Sequence, residues 1–500
     1  MLRNFSRFAL RGQGQRNVRL FGALNNVPAG QPTSFTHPHL LKEGEILPGM
    51  RKCEFQRRRS HLLEEIHKQS DEKEAPVLAI FPSAPEQFLS EKIPRPYRQT
   101  SDLLYLSGCQ EPGSALLIRA DRAASETVLF VRGADPAKEL WDGPRFGASK
   151  NTADLFGVDQ VLPAAELNRY LEGSVKDRQQ TPAVWYEKNE SPSPIGSLRS
   201  AADKFVEKQS SSLQLKSTRP LLHNLRVIKS SSEIELMRQA AQIGGRAIAK
   251  TISLENVVNR QGADFVEESS IAARVEFECL RRGAQQLGYP PVVATGTRTN
   301  TIHYISNNNR GRSGDLALMD AGCEFFGYNS DITRTWPLNG RFSGPQLAAY
   351  EAVLDVQQRL IELLKTNRPT LNQLFAEMCR LLGANLKDLC LLPPTSSGQE
   401  LMAGAHSYCP HHVSHFLGMD IHDTPSVSHS IPVQPGMIIT VEPGLYIRPE
   451  NKSSPEEFRG IGIRIEDDVL ITETGCEVLS SECPKTPASL EKLMSPSPTS

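Results

Sequence analysis

The sequence predicts two folded domains, the second an α+β domain with helices around a mainly antiparallel sheet. Three observations predict it. The 500 residues exceed what one hydrophobic core usually holds. In the second half, short stretches of strand-type alternation are interleaved with long amphipathic helical stretches. Between them, residues 191–217 thicken in proline and serine, with Ser210, Ser211 and Ser212 consecutive, and read as a hinge or linker.

Taken in order, the chain opens on a biased segment. Arg3, Arg7, Arg11, Arg16 and Arg19 precede the first carboxylate, Glu43. On a helical wheel Arg3, Arg7 and Arg11 share one face and Leu2, Phe5, Phe8 and Ala9 the other. An Arg-rich, acid-free amphipathic start without an apolar core region has the pattern of a mitochondrial presequence, and residues 1–50 are assigned to it and to a flexible lead-in. A disordered basic tail on a cytosolic protein is the alternative.

The first domain, 51–215, is expected to alternate a helix over 55–67 with strands over 77–81, 115–118 and 127–131. The second, 225–494, begins at a run of serines where either Ser230/Glu233 or Ser232/Glu235 has capping-box spacing, ahead of a helix to about 249. Further helices are expected at 266–282, 345–365 and 370–385, and strands at 292–294, 437–442 and 461–471. The Pro/Ser-rich stretch after Lys492 reads as disordered.

Residues 317–335 carry the strongest signal. Leu316, Leu318 and Asp320 alternate with Ala317 and Met319, and Asp331, Thr333 and Thr335 with Ile332 and Arg334. This is a hairpin pattern with Gly327 in the turn. Folded about the midpoint of Phe325 and Phe326, it sets Asp320 directly opposite Asp331. Like charges about 4.5–5.5 Å apart are destabilising unless a cation lies between them, and a carboxylate pair of this kind can span two metal ions.

Further ligand types follow. Glu442 ends an apolar strand pattern just before Pro443, which favours extended backbone. Ile461, Ile463 and Ile465 alternate with Arg464 and Glu466, so the glutamate and an arginine fit to hold a carboxylate share one face. Between residues 411 and 422 lie His411, His412, His415 and His422. His412 stands where a His-Glu-x-x-His zinc motif needs glutamate, so that motif is absent. An oxygen-rich set of four carboxylates and a histidine suits Mn²⁺, with zinc or cobalt also compatible.

The remaining composition excludes other classes. With 56 basic and 57 acidic residues there is no electrostatic footprint for nucleic acid, and no apolar run approaches the roughly 18 residues of a membrane span. The nine cysteines are scattered without a C-x-x-C pair, as in a reducing compartment, and Cys323 and Cys409 read as buried thiols.

The order Asp320, Asp331, His415, Glu442, Glu466, within the strings MDAG, SDITRT, HFLGMDIHD, TVEPGLYI and GIRIEDD, resembles the pita-bread metallopeptidases of the creatinase, prolidase and aminopeptidase P group from about 229 to 494. Tyr97 to Asp102 and Glu139 to Arg145 are similar to the group's smaller creatinase-like α/β front domain, and with the presequence the whole resembles mitochondrial aminopeptidase P members. The resemblance implies two divalent ions, with Asp331 and Glu466 shared between them, Asp320 completing one and His415 with Glu442 the other. It implies Glu442 as the carrier of a proton to the leaving nitrogen and His303, His411 and His422 around the scissile carbonyl. Tyr289, with His303, His422 and Arg464, is implied in substrate binding. His412 departs from the glycine of many relatives.

The implied reaction releases the N-terminal residue from peptides with proline second, and in mitochondrial members trims single residues from imported proteins. Prolidases share all five ligands, so an X-Pro dipeptidase is the alternative. A homodimer in the mitochondrial matrix is the expected state, with Asp102 at the position that can approach a neighbour's site; a cytosolic form is the other location considered.

Overall fold

The computed structural model describes residues 30–69, 76–121, 124–175, 183–188, 194, 196–209, 214–255 and 265–495. The basic N-terminal helix expected over residues 2–11 lies outside them. The chain divides into two units at Thr218/Arg219.

The front unit is organised by a mixed sheet of six strands: Val77–Pro82 (β1), Ala115–Ala120 (β2), Ser125–Val131 (β3), Gln160–Pro163 (β4), Ala183–Tyr186 (β5) and Gln214–Lys216 (β6). Their order is β6-β5-β1-β2-β3-β4. β1 is buried along its whole length, as a central strand with an uninterrupted apolar sequence should be. Helix α1 (Lys52–Lys68) runs about one turn longer than its apolar pattern.

The stretch 191–217 forms, in its described residues, a helix and a strand in place of the expected linker. Its serines include a helix cap: Ser197 accepts from the Ser200 amide at 3.1 Å and starts α2 (Leu198–Lys208). Ala202, Phe205 and Val206 of α2 pack with Leu78, Ile80 and Val184, and β6 is the sheet's edge strand.

In the second unit, Ser230 and Glu233 form the capping box. The Glu233 amide donates to Ser230 Oγ (3.3 Å) and the Ser230 amide to Glu233 Oε2 (2.9 Å). The helix they start, α3 (Ser231–Glu255), is followed by α4 (Glu268–Leu280), α5 (Gly344–Thr366), α6 (Leu371–Asp388) and a helix the pattern did not reveal, α7 (Gly398–Tyr408). α5 and α6 each open on a complete capping box, Ser343/Gln346 and Thr370/Gln373. None of the described helices is long and apolar enough to cross a membrane.

These helices cover short antiparallel sheets. Val292–Thr295 (β7), Leu316–Ala321 (β8) and Ile332–Pro337 (β11) form one; Cys323–Phe325 (β9) and Tyr328–Asn329 (β10) continue the hairpin toward its tip. Ile438–Val441 (β12), Asp467–Thr472 (β15) and Gly475–Val478 (β16) form another, and Gly444–Tyr446 (β13) pairs with Gly462–Arg464 (β14). One apolar core joins them, with Trp336, Tyr350, Leu374, Ile439, Ile463 and Ile471 inside.

The hairpin register differs from the expected one. Phe326 (φ 50°) and Gly327 (φ 84°) are both left-handed and make the two-residue turn. Asp320 therefore faces Thr333 rather than Asp331. The shift is by two residues, so every side chain keeps its face and the two aspartates become diagonal neighbours. Asp331 sits in a break before β11, opposite Gly322, where a Cβ would lie 1.7 Å from the Ser330 carbonyl oxygen.

The expected strand over 461–471 is also broken. At Ile465 and Glu466 the chain passes from the β13–β14 pair to the β12–β15 sheet, and the Glu466 amide donates to Thr333 O at 3.1 Å. At the C-terminus, Pro487–Met494 (α8) is a helix capped by Thr486, with Leu490 and Met494 buried; order therefore continues past Lys492, and residues 496–500 lie outside the description.

Candidate active site

Five side chains converge, four of them from strand ends. Asp320 lies near the end of β8, Asp331 just before β11, Glu442 just after β12, and Glu466 in the bend between β14 and β15. His415 follows α7 in an irregular stretch pinned to β12: the Thr440 amide donates to His415 O (3.0 Å) and the His415 amide to Thr440 Oγ1 (3.1 Å). Ligand atoms of Asp331, His415 and Glu466 all lie within 4.8 Å of one another. His415 Nε2 is 3.5 Å from both Asp331 Oδ2 and Glu442 Oε1.

The neighbours of these groups orient them. Arg464 donates to Asp320 Oδ2 (2.6 Å), to Thr333 Oγ1 (3.0 Å) and to the Tyr446 hydroxyl (2.9 Å). Thr333 in turn donates to Glu466 Oε2 at 2.6 Å. The Tyr289 hydroxyl lies 2.5 Å from Asp320 Oδ1 and 2.6 Å from Asp331 Oδ1, one proton between two carboxylates. Asp331 is fixed from behind by its own amide, which donates to Asp468.

The donor set fits a divalent metal centre. The Phe416 carbonyl, 3.1 Å from His415 Nδ1, can only accept, so Nδ1 carries the hydrogen and the neutral ring aims its Nε2 lone pair at two carboxylates. That arrangement is repulsive unless a cation lies between. Without one, a proton takes the place: burial opposes it, but the hydrogen bond to Asp331 and the Glu442 charge raise His415 to about 9. Burial and the neighbouring acids push Glu466 well above the carboxylate range and raise Asp320 against the opposing charge of Arg464. Asp331 is held low despite its burial, chiefly by His415. Burying this many acids beside one guanidinium is costly, and a divalent cation offsets the cost.

The five groups open into a cavity of about 360 Å³. Arg464, His303, His411 and His422 line it with them, His303 and His422 at its exposed rim. His411 is neutral, its buried ring lowered to about 4; with Nδ1 2.9 Å from the His412 carbonyl, Nε2 accepts from the Tyr446 hydroxyl at 3.0 Å. Tyr289 reaches the site through its hydroxyl, on the far side of the aspartates, and is not part of the cavity wall. With no metal bound, burial raises Glu442 to about 7, against the His415 charge. His412 lines the cavity and stacks on Phe375, ring centroids 5.1 Å apart and 17° from parallel.

Sequence reasoning missed Thr333, Tyr446, Ile302, Ser414, His429 and Asp468. Thr333 could have been found, since it shares a strand face with Asp331, and Asp468 by the same alternation, two places beyond Glu466 in the expected strand. Cys323 and Cys409 are buried thiols, Cys409 Sγ lying 3.5 Å from His411 Nε2.

Comparison with known proteins follows the same division of the chain. Residues 235–473 match the family model described as metallopeptidase family M24, and residues 55–185 the one described as aminopeptidase P, N-terminal domain. The chain is 40% identical over 472 residues to the mouse protein named Xaa-Pro aminopeptidase 3, covering 93% of this chain and 90% of the relative. It is 37% identical over 470 residues to the Arabidopsis thaliana protein named Intermediate cleaving peptidase 55, mitochondrial, covering 93% and 87%. The zinc-substituted Escherichia coli aminopeptidase P in complex with product is similar in structure, with TM-score 0.77, 32% identity, and 89% of this chain and 98% of that one covered.

Proposed function

The chain belongs to metallopeptidase family M24, in its aminopeptidase P branch, and from that premise we propose that it is a two-metal aminopeptidase releasing the N-terminal residue from peptides with proline in second position. The observation that carries the reading is the convergent set Asp320, Asp331, His415, Glu442 and Glu466, with Asp331 and Glu466 buried and the His415 lone pair facing two carboxylates. Asp331 and Glu466 would be shared by two divalent ions, Asp320 would complete one site, and His415 with Glu442 the other; the oxygen-rich donors favour Mn²⁺. Bound there, such ions supply Lewis acidity at the scissile carbonyl and lower the pKa of water.

The protein's own groups do the rest. Glu442, which lines the cavity beside His415, would carry the proton that the leaving nitrogen needs. His303, His411 and His422 bind the substrate around the scissile carbonyl from the cavity wall. Arg464 and Tyr289 hold Asp320 in place. A bond to proline has no amide N–H on the leaving side, so recognition there must come from shape and from the carbonyl.

Removal of single residues from imported mitochondrial proteins belongs to the same reading. It is supported by the name of the Arabidopsis relative and by the acid-free, arginine-rich N-terminus. A homodimer is the proposed assembly.

The test is Mn²⁺-dependent hydrolysis of a tripeptide Xaa-Pro-Yaa beside the dipeptide Xaa-Pro, by wild type and Asp331→Ala. Tripeptide cleavage that the variant loses is the expected result. Cleavage of the dipeptide alone would make the protein a prolidase-type dipeptidase, and no cleavage of either by metal-loaded protein would refute the substrate assignment.

A further inference from the structure

We propose that Glu268 is a positioning residue, whose carboxylate holds the loop carrying His303 against the metal centre. The inference rests on His303 contacting substrate, as set out above. Glu268 does not line the cavity, so it acts only through the loop.

The loop needs such a device. After β7 the chain makes a short 3-10 turn, Gly296–Asn300, and then runs through residues 301–309 without helix or strand. That irregular stretch presents Ile302 and His303 to the cavity. A segment with no ladder of its own must find partners elsewhere for its backbone and for its geometry.

One carboxylate supplies many of them. Glu268 Oε1 accepts from the Thr295 amide (3.0 Å), the Thr295 hydroxyl (2.7 Å) and Arg298 Nε (2.8 Å). Oε2 accepts from the hydroxyl of Tyr304, the residue after His303, and from the Asn309 amide, each at 2.9 Å. The Glu268 amide returns a bond to Asn309 O at 2.9 Å. The entry, the middle and the exit of the loop are thus tied to a single side chain in the first turn of α4. Glu268 is 0% exposed, yet its donors hold the carboxyl below the ordinary range against the effect of burial. An ionised carboxylate accepts on both oxygens and donates on neither, which is the chemistry five converging donors require.

Glutamine cannot replace it. Whichever way the amide is turned, its NH₂ meets a main-chain N–H, that of Thr295 or that of Asn309.

The experiment combines amide hydrogen exchange, bound-metal analysis and a double-mutant cycle of Glu268→Gln with His303→Ala. The expected result is faster exchange confined to residues 296–310 and unchanged metal content. With it, kcat/KM for Xaa-Pro-Yaa falls on the order of 10–100-fold, the scale at which small misplacements act. In the His303→Ala background the same change should cost less than about 2-fold. Equal losses in both backgrounds, unchanged exchange in the loop, or wild-type kinetics of His303→Ala would each overturn the proposal. If wild type cleaves no Xaa-Pro-Yaa peptide, the activity reading fails, while the exchange result still decides whether Glu268 orders the loop. Should Glu268→Gln not fold, Tyr304→Phe removes one of the five bonds; it is expected to give the same pattern at about 2- to 5-fold, and the same outcomes overturn the proposal.

Discussion

Thr333→Val isolates how strongly one hydroxyl sets metal affinity. Thr333 is fully buried; its hydroxyl donates to Glu466 Oε2 at 2.6 Å and accepts from Arg464 Nε at 3.0 Å. Valine keeps the shape and removes both bonds. A hydrogen bond to a charged partner contributes about 1.5–3 kcal/mol. This one favours the ionised glutamate that metal binding needs over the protonated form that burial otherwise favours. At about 1.4 kcal/mol per tenfold, the dissociation constant for Mn²⁺ should rise about 10- to 100-fold, the range typical for groups that orient metal ligands. Calorimetric titration of the metal-free protein and a chelator-competition series measure it, with activity followed against Mn²⁺ concentration. Activity should return to within a few-fold of wild type at saturating metal. A dissociation constant within about 3-fold of wild type would refute the reasoning, and so would activity that stays low with metal fully bound.

Two further outcomes follow from the same geometry. Gly322→Ala places a methyl 1.7 Å from the Ser330 carbonyl oxygen, so the hairpin must open where Asp331 begins; thermal unfolding should show a loss of about 1–3 kcal/mol or more, and metal content should fall with it. A variant of wild-type stability and metal content would contradict the close approach. Metal-free protein should become less stable from about pH 7 to about pH 9. Glu466 and Asp320 are raised and His415 is raised to about 9, so the folded state holds these protons more tightly than the unfolded chain, and the stability they lend is lost as pH rises through their folded values. His411 and His422, lowered by partial desolvation, act in the opposite sense, but only below their ordinary 6.5. Unfolding midpoints across that range, with chelator and with saturating Mn²⁺, check it; a flat metal-free profile would count against the assignment.

The sequence was most informative where chemistry and local geometry coincide. Asp320, Asp331, Glu442 and Glu466 each stand at or beside a strand end, where period-2 alternation and Pro443 mark the strand and its limit. The register error shows why they remained readable. Moving the turn to Phe326–Gly327 shifts pairing by two residues, and an even shift leaves each acid on its face. A turn with a non-glycine residue at positive φ, as at Phe326, is hard to anticipate, because that backbone region is uncommon for residues other than glycine. The helix within the expected linker was hidden for a different reason: serine, here Ser197, marks helix caps as readily as linkers, and only the packing of Phe205 and Val206 separates the two. Helix α7, with only Ala405 and Tyr408 buried, has too narrow an apolar face to declare itself.

The invisible part of the site is its hydrogen bonding across distant elements. Arg464 meets Asp320 across 144 positions, Glu466 meets Thr333 across 133, and Asp331 meets Asp468 across 137. No periodicity encodes such pairs. Their consequence is nonetheless physical and general. Each carboxylate that points inward is backed by a donor that favours its ionised form, while burial among like charges favours the protonated one. The two tendencies are balanced only by positive charge at the centre, either protons on His415 and the acids or a divalent metal. Metal binding must therefore displace protons, and affinity must rise with pH as metal-free stability falls. The same carboxylates that make the metal-free cluster expensive to bury are what make it favour a cation over water.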